Sequence, residues 1–175
     1  PVSIPRFNKA EDDRFPIESA EIITHPVDVI VLEGWCLGAE AQHESSLTQP
    51  VNDLEETEDK DLAWRRYVNE QLARFYPKLI DIWIMLKAPS FDCVFQWRLE
   101  QENKLKRSLS ESDKQTQIMD EKAVGRFIKF YQRITENTLN TLPKKVNYLF
   151  ELDENRQITK LTRPTQSTLN TDLPC

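Results

Sequence analysis

Four apolar residues in a row, Val29-Ile30-Val31-Leu32, are headed by Asp28 and closed by Glu33-Gly34. A run without polar alternation suits a strand buried on both faces, as in a parallel sheet covered by helices on each side. A second such run, Ile82-Trp83-Ile84-Met85-Leu86, follows an amphipathic helix pattern at Trp64, Val68, Leu72, Phe75 and Leu79. Asp61 can cap that helix, and Pro77 should end or kink it. A helix from Ser90 to about Arg107 comes next. Another starts at Asp120, buries Val124, Phe127, Ile128, Tyr131 and Ile134, and stops at Pro143. Val146 to Leu152 and Gln157 to Leu161 read as two strands about an Asp153-Glu154-Asn155-Arg156 turn. Strands alternating with helices predict an α/β fold with a mainly parallel sheet flanked by helices, its strands near 28–32, 82–86 and 146–152 and the first two parallel neighbours.

The 175 residues suit one domain, expected over 1–162, with a flexible tail over 163–175. The first 20 residues carry Pro5, Pro16 and mixed charge without periodicity and read as a surface loop. Residues 40–61 hold eight acidic side chains against one fully charged base, Lys60, and read as a mobile, solvated acidic loop. Net charge is −6, which argues against a nucleic-acid footprint. No apolar run is long enough for a membrane span. The three cysteines, Cys36, Cys93 and Cys175, are an odd count without CxxC spacing, so neither a disulfide framework nor a structural zinc site is expected. A reduced, cytoplasmic protein fits this usage. The chain begins with Pro1 and not Met, which fits a fragment or a processed product.

The only glycines are Gly34, Gly38 and Gly125. A glycine-rich phosphate loop, GxxxxGK[ST], is therefore not in this sequence, although such a loop is what turns backbone N–H groups onto phosphates. Three segments have residue types suited to chemistry. Glu33 would stand at the carboxyl edge of a parallel sheet, where open α/β proteins bind ligands; an idle, exposed glutamate is the equal alternative. Arg6, Lys9 and Arg14 fall in one short stretch and could hold an anion by charge-assisted hydrogen bonds, though a loop with its own Asp12–Arg14 pairing is the stronger reading of composition. Arg98, Glu102 and Lys106 recur at helical spacing and make either a surface ion-pair row or part of a basic lid.

Five pieces occur in a fixed order. They are Ile4-Pro5-Arg6-Phe7-Asn8-Lys9, Val29 to Gly38 (with Glu33-Gly34-Trp35-x-x-Gly38), Tyr67-Val68-Asn69-Glu70-Gln71-Leu72, Leu86-Lys87-Ala88-Pro89-Ser90-Phe91 and Gln96-Trp97-Arg98-Leu99-Glu100-Gln101-Glu102. Together they resemble the D-glycerate 3-kinase group of P-loop kinases, relatives of uridine kinase, pantothenate kinase and phosphoribulokinase. The resemblance runs from about Ile4 to Leu161. It implies a P-loop NTPase-like fold incomplete at the N-terminus. The implied activity is ATP-dependent transfer of a phosphoryl group to a hydroxyl of a small organic acid such as D-glycerate, with Mg²⁺. By position, Glu33 resembles the acidic residue near magnesium. Arg6, Lys9, Asp13 and Arg14 fall in the substrate-side loop, and Arg98 with Lys104 or Arg107 in the lid. The family's phosphate loop lies before the matched region, so a further N-terminal segment or a second chain is the implied partner, and this chain alone is expected to be inactive. The substrate stretch Ala10-Glu11-Asp12-Asp13-Arg14 is shorter than the family's and lacks glycine, which leaves the acceptor open. The alternative is a non-enzymatic binding or scaffold domain that keeps a kinase-like sheet.

Overall fold

The computed structural model describes residues 1–8, 13–75, 80–108 and 118–164. The chain divides into two compact units: residues 1–35 with 104–118, and residues 36–103 with 119–175.

The first unit contains an antiparallel ribbon. Strand β1 (Val2–Ile4) pairs with β4 (Glu21–Ile23), Val2 opposite Ile23. Within that pair, β2 (Phe7–Asn8) pairs with β3 (Asp13–Arg14), Phe7 opposite Arg14. The β-branched residues at positions 2, 4, 22 and 23 suit the outer ladder. Pro5 and Pro16 have no N–H to give and separate outer from inner pairing. The expected patternless loop is thus a ribbon; strands of two or three residues are too short to register as alternation. The run at 28–32 departs further from expectation. It lies outside every strand, and Val29, Ile30, Val31 and Leu32 are 60–85% exposed. A strand buried on both faces needs a neighbour for its N–H and C=O groups and a layer over its side chains, and the described residues provide neither.

The second unit holds a three-stranded sheet. β5 (Ile84–Lys87) runs parallel to β6 (Tyr148–Leu152), and β6 pairs antiparallel with β7 (Ile158–Thr162). These strands match the expected positions. Of the four strand pairs among the described residues, however, only β5–β6 is parallel, so the sheet is mixed rather than mainly parallel. With 28–32 unpaired, the expected parallel neighbour of β5 is absent from the ladder.

Two short helices, α1 (Glu44–Leu47) and α2 (Asp53–Glu58), occupy the stretch read as a mobile acidic loop. His43 Nδ1 accepts from Ser45 N at 3.3 Å and Asn52 Oδ1 from Glu55 N at 3.0 Å, so each helix has a side-chain cap. Leu47 and Leu54 are buried beneath them. Helix α3 (Ala63–Phe75) is capped mainly by Asp59, whose Oδ1 accepts from Trp64 N at 2.8 Å; the expected cap, Asp61, reaches Ala63 N only at 3.4 Å. Pro77 and Leu79 lie outside the described residues.

Helix α4 spans Asp92–Ser108. Helix α5 (Glu121–Thr141) starts where expected, Asp120 Oδ1 accepting from Ala123 N at 2.7 Å, and gives way to a single 3-10 turn around Pro143. Val94, Val124 and Ile128 join α4 to α5, with Phe91, Phe95 and Leu99 around them. Leu139 and Leu142 at the end of α5 pack on Met85, Val146 and Leu149 and so cover one face of the sheet. Gly38 adopts φ +83° against this core. A Cβ there would lie 3.0 Å from Leu142 Cδ2 and 3.1 Å from the Trp83 ring, so both the turn and the close approach need glycine. Residues 109–117, and the expected tail from 165 on, lie outside the described residues.

Candidate functional site

In the first unit, the inner hairpin brings three of the substrate-side candidates into one short register. Arg14 stands opposite Phe7, and Asp13 stands opposite Asn8. Phe15 N donates to Arg6 O at 2.9 Å, and the Arg6 guanidinium lies 5.5 Å over the Phe15 ring. Asp13 Oδ1 accepts from Arg14 N at 2.7 Å. Lys9 and Asp12 lie outside the described residues. Register partners share a face, so Arg14 lies with Phe7 on one face of the ribbon and Arg6 with Phe15 on the other, and the hairpin does not by itself bring the two guanidinium groups together.

Glu33 does not stand at a sheet edge. It is exposed in an unpaired stretch, because the run before it forms no strand. Among the described residues, no group of three or more His, Cys, Asp or Glu side chains could hold a metal ion. Mg²⁺ takes one or two carboxylates with phosphate oxygens and waters, and Glu33 is the one carboxylate that the sequence reading offers it. No catalytic step through a metal is therefore assigned to these residues.

Arg98 is held by three neighbours. Its Nη2 pairs with Glu102 Oε1, its Nη1 donates to Gln101 Oε1 at 2.9 Å, and its guanidinium lies 5.2 Å over Phe127. Glu102 is buried, and its other oxygen accepts from Met119 N at 3.2 Å. The pair ties α4 to α5 through a charge taken out of water. The neighbouring motif residues do similar work. Trp97 Nε1 donates to Glu154 O at 2.7 Å, and Arg156 pairs with Glu100 while lying 5.7 Å over the Trp97 ring. Lys104 and Arg107 are exposed on the part of α4 that belongs to the first unit.

The second unit has a cavity of about 680 Å³ between α3 and α5. Trp64, Val68 and Leu72 line it from α3, Phe130 and Ile134 from α5, with Cys36 nearby. Burial pushes the Cys36 thiol above its ordinary pKa, which disfavours the thiolate. None of the described sequence candidates lines this cavity.

Four charged groups beside the cavity had no signal in the sequence beyond their type. Arg133 grips Glu55 with both edges of its fork, Nε to Oε1 at 2.8 Å and Nη2 to Oε2 at 2.7 Å. The same guanidinium donates to Ser46 O at 2.7 Å and Gln49 O at 2.5 Å. Arg65 Nε meets Asp59 Oδ2 at 2.8 Å, and its Nη1 donates to Leu47 O at 2.9 Å. All four side chains are at most 9% exposed. Burial drives the Asp59 carboxyl up, but the Arg65 side chain, the Trp64 and Arg65 N–H groups and the Arg65 charge together hold it below the usual aspartate range. The network fastens α1 and α2 to α3 and α5.

No family model matches the chain. Over 142 residues it is 28% identical to the chloroplastic D-glycerate 3-kinase of Arabidopsis thaliana, which is 75% of this chain and 27% of the plant protein. Over 110 residues it is 29% identical to the probable ATP-dependent kinase TDA10 of Saccharomyces cerevisiae, 59% of this chain and 36% of the yeast protein. The chain spans between 27% and 46% of the length of the curated relatives it matches. Its fold is similar to the solved D-glycerate 3-kinase of Cryptococcus neoformans, with a TM-score of 0.68 at 20% identity over 93% of this chain and 59% of that one. The homologues and structural neighbours of this chain are D-glycerate 3-kinase and related kinases, the group that its ordered motifs resemble.

Proposed function

We propose that this chain is part of an ATP-dependent kinase that phosphorylates a hydroxyl of a small organic acid such as D-glycerate. The observation that carries the reading is the agreement between the ordered motifs and the homologues, all of them kinases. Arg6, Asp13, Arg14 and Lys9 are the substrate-side residues in this reading, with Arg98, Lys104 and Arg107 on the phosphate side and Glu33 near the metal. ATP with Mg²⁺ is the phosphoryl donor. The sequence has no GxxxxGK[ST] loop, so a further polypeptide segment or a second chain supplies the phosphate cradle, and this chain alone turns over little. Phosphoryl transfer rests mainly on positioning and electrostatic stabilisation, which suits a site assembled from separate parts.

The second reading, a binding domain with a kinase-like sheet, draws support from Arg98. Its stacking on Phe127 and its pairing with Glu102 are what a purely structural residue would show. A coupled ADP-release assay on the complete protein, with D-glycerate and ATP·Mg²⁺, separates the two. Phosphorylated acid detected by ³¹P NMR, with turnover reduced at least about tenfold in Arg14→Ala, supports the kinase. Absence of any ATP-dependent product in a folded complete protein refutes it.

A further inference from the structure

Arg98 is held in place, yet its donors are not all used. An arginine fork carries five N–H donors. Among the described residues, Nη1 gives one to Gln101 Oε1 at 2.9 Å, Nη2 gives one to Glu102 Oε1, and Nε has no partner. A group recruited only to tie α4 to α5 would have its buried N–H closed, since buried donors are nearly always paired. The side chain is 26% exposed, so a ligand oxygen can reach the donors that Nη1 and Nη2 keep. What fixes the guanidinium is a carboxylate. Glu102 is 4% exposed, and both of its oxygens are committed, Oε1 to Arg98 and Oε2 to Met119 N at 3.2 Å. Residues four apart lie on one face of a helix, so Glu102 holds Arg98 from the next turn of α4. Phe127, 5.2 Å from the guanidinium, supports it from α5 and is itself packed against Val94, Val124 and Ile128.

We propose that Glu102 is a positioning residue for phosphoryl transfer: it sets the Arg98 guanidinium so that the remaining donors of Nη1 and Nη2 receive an oxygen of the transferred phosphoryl group. The proposal rests on the kinase reading for the reaction and on the contacts above for the residue. A free arginine side chain samples many rotamers, and ordering it during the reaction costs entropy. A carboxylate anchor and an aromatic face order it in advance, and preorganised charge stabilises a transition state without reorganisation. Glu102 acts only through Arg98, because its own oxygens are engaged and sealed from solvent. The carboxylate also weakens the positive field at the fork. Removing its charge should therefore leave anion binding undiminished while the rate falls. A mere tie between helices predicts a loss of stability and no change in rate per folded molecule.

The test uses the complete protein with D-glycerate and ATP·Mg²⁺. Glu102→Gln keeps the size of the side chain and removes its charge. Turnover per folded molecule, with folding followed by circular dichroism, should fall at least about tenfold, the equivalent of about 1.4 kcal/mol in the barrier. KM for ATP should be unchanged or lower. In an Arg98→Ala background the same substitution should cause no further loss, because residues that act as a unit are not additive. Gln101→Ala removes an exposed partner of Nη1 and should leave the fold intact while lowering kcat about threefold. Equal kcat in folded Glu102→Gln, whatever its melting temperature, overturns the proposal. A loss that adds to that of Arg98→Ala also overturns it, since Glu102 would then not act through Arg98. If Glu102→Gln does not fold, unchanged kcat in Gln101→Ala overturns it instead. A wild type that makes no phosphorylated acid overturns the kinase reading and this proposal together. A wild type that turns over, matched by its variants, overturns this proposal alone.

Discussion

Arg133→Met removes the charged fork that holds Glu55 and leaves a side chain of similar length in α5. Glu55 then keeps Val51 N as a donor at 2.9 Å and a distant Arg65 Nη1 at 3.7 Å, while its carboxylate remains buried. Ser46 O and Gln49 O each lose the donor that closed them. Breaking a buried pair by removing one partner costs about 3–5 kcal/mol, because the remaining charge stays out of water. A domain's whole stability is about 5–15 kcal/mol, so the variant should sit near the edge of folding. Urea denaturation followed by far-UV circular dichroism measures the loss. Hydrogen exchange should place it first at α1 and α2, which the guanidinium fastens to α5. The companion Glu55→Leu, Arg133→Met removes both charges. It should recover much of the loss, since an apolar pair of similar volume is often neutral or stabilising in place of a buried ion pair. Arg126→Ala breaks the exposed pair with Glu58 and serves as the control, with no resolvable change expected. If Arg133→Met loses less than about 1 kcal/mol, the typical ceiling for an exposed pair, the network is not what orders residues 44–58.

Three further outcomes follow from other parts of the structure. Gly38→Ala should cost about 1–2 kcal/mol for a left-handed residue with a Cβ, and more if Leu142 cannot move; an unchanged melting temperature would refute the close approach. Arg98→Ala should lower stability by about 1.5–3 kcal/mol, because it strips a charged partner from buried Glu102; a melting temperature that does not move would mean that Arg98 does not join α4 to α5. Asp59 has a folded pKa below its unfolded value, so its contribution is present above the usual aspartate range and fades as pH falls through the folded pKa. The stability gap between wild type and Asp59→Asn, measured by urea midpoints at neutral and strongly acidic pH, should therefore be largest at neutral pH. A gap that widens on acidification would reverse that sign.

The sequence made visible those elements whose signals are local. The Asp120 cap, the apolar face at Val124, Phe127 and Ile128 and the proline that follows α5 all lie within one helix, and the observed helix agrees with them. Strands β5 and β6 were equally legible from their apolar runs, and β7 from the turn at 153–156 that precedes it. What failed depended on partners distant in the chain. Val29-Ile30-Val31-Leu32 has every property of a buried strand except a neighbour, and apolar character cannot supply the backbone donors and acceptors of a ladder. The acidic stretch failed for the opposite reason. Eight carboxylates against one lysine read as solvated, but two arginines 65 and 133 residues into the chain neutralise Glu55 and Asp59 and close five main-chain carbonyls of the stretch. Counting charge within a window misses this, since the compensating cations stand on α3 and α5. The Trp97–Glu102 motif shows the same limit on the functional side. Its order in the chain identified the relatives, whereas its contacts to Glu154, Phe127 and Met119 are those of packing. A motif can therefore identify kin through residues whose visible work is structural. Catalytic roles for Glu33 and Arg98 must then be established by turnover of the complete protein, with stability measured alongside.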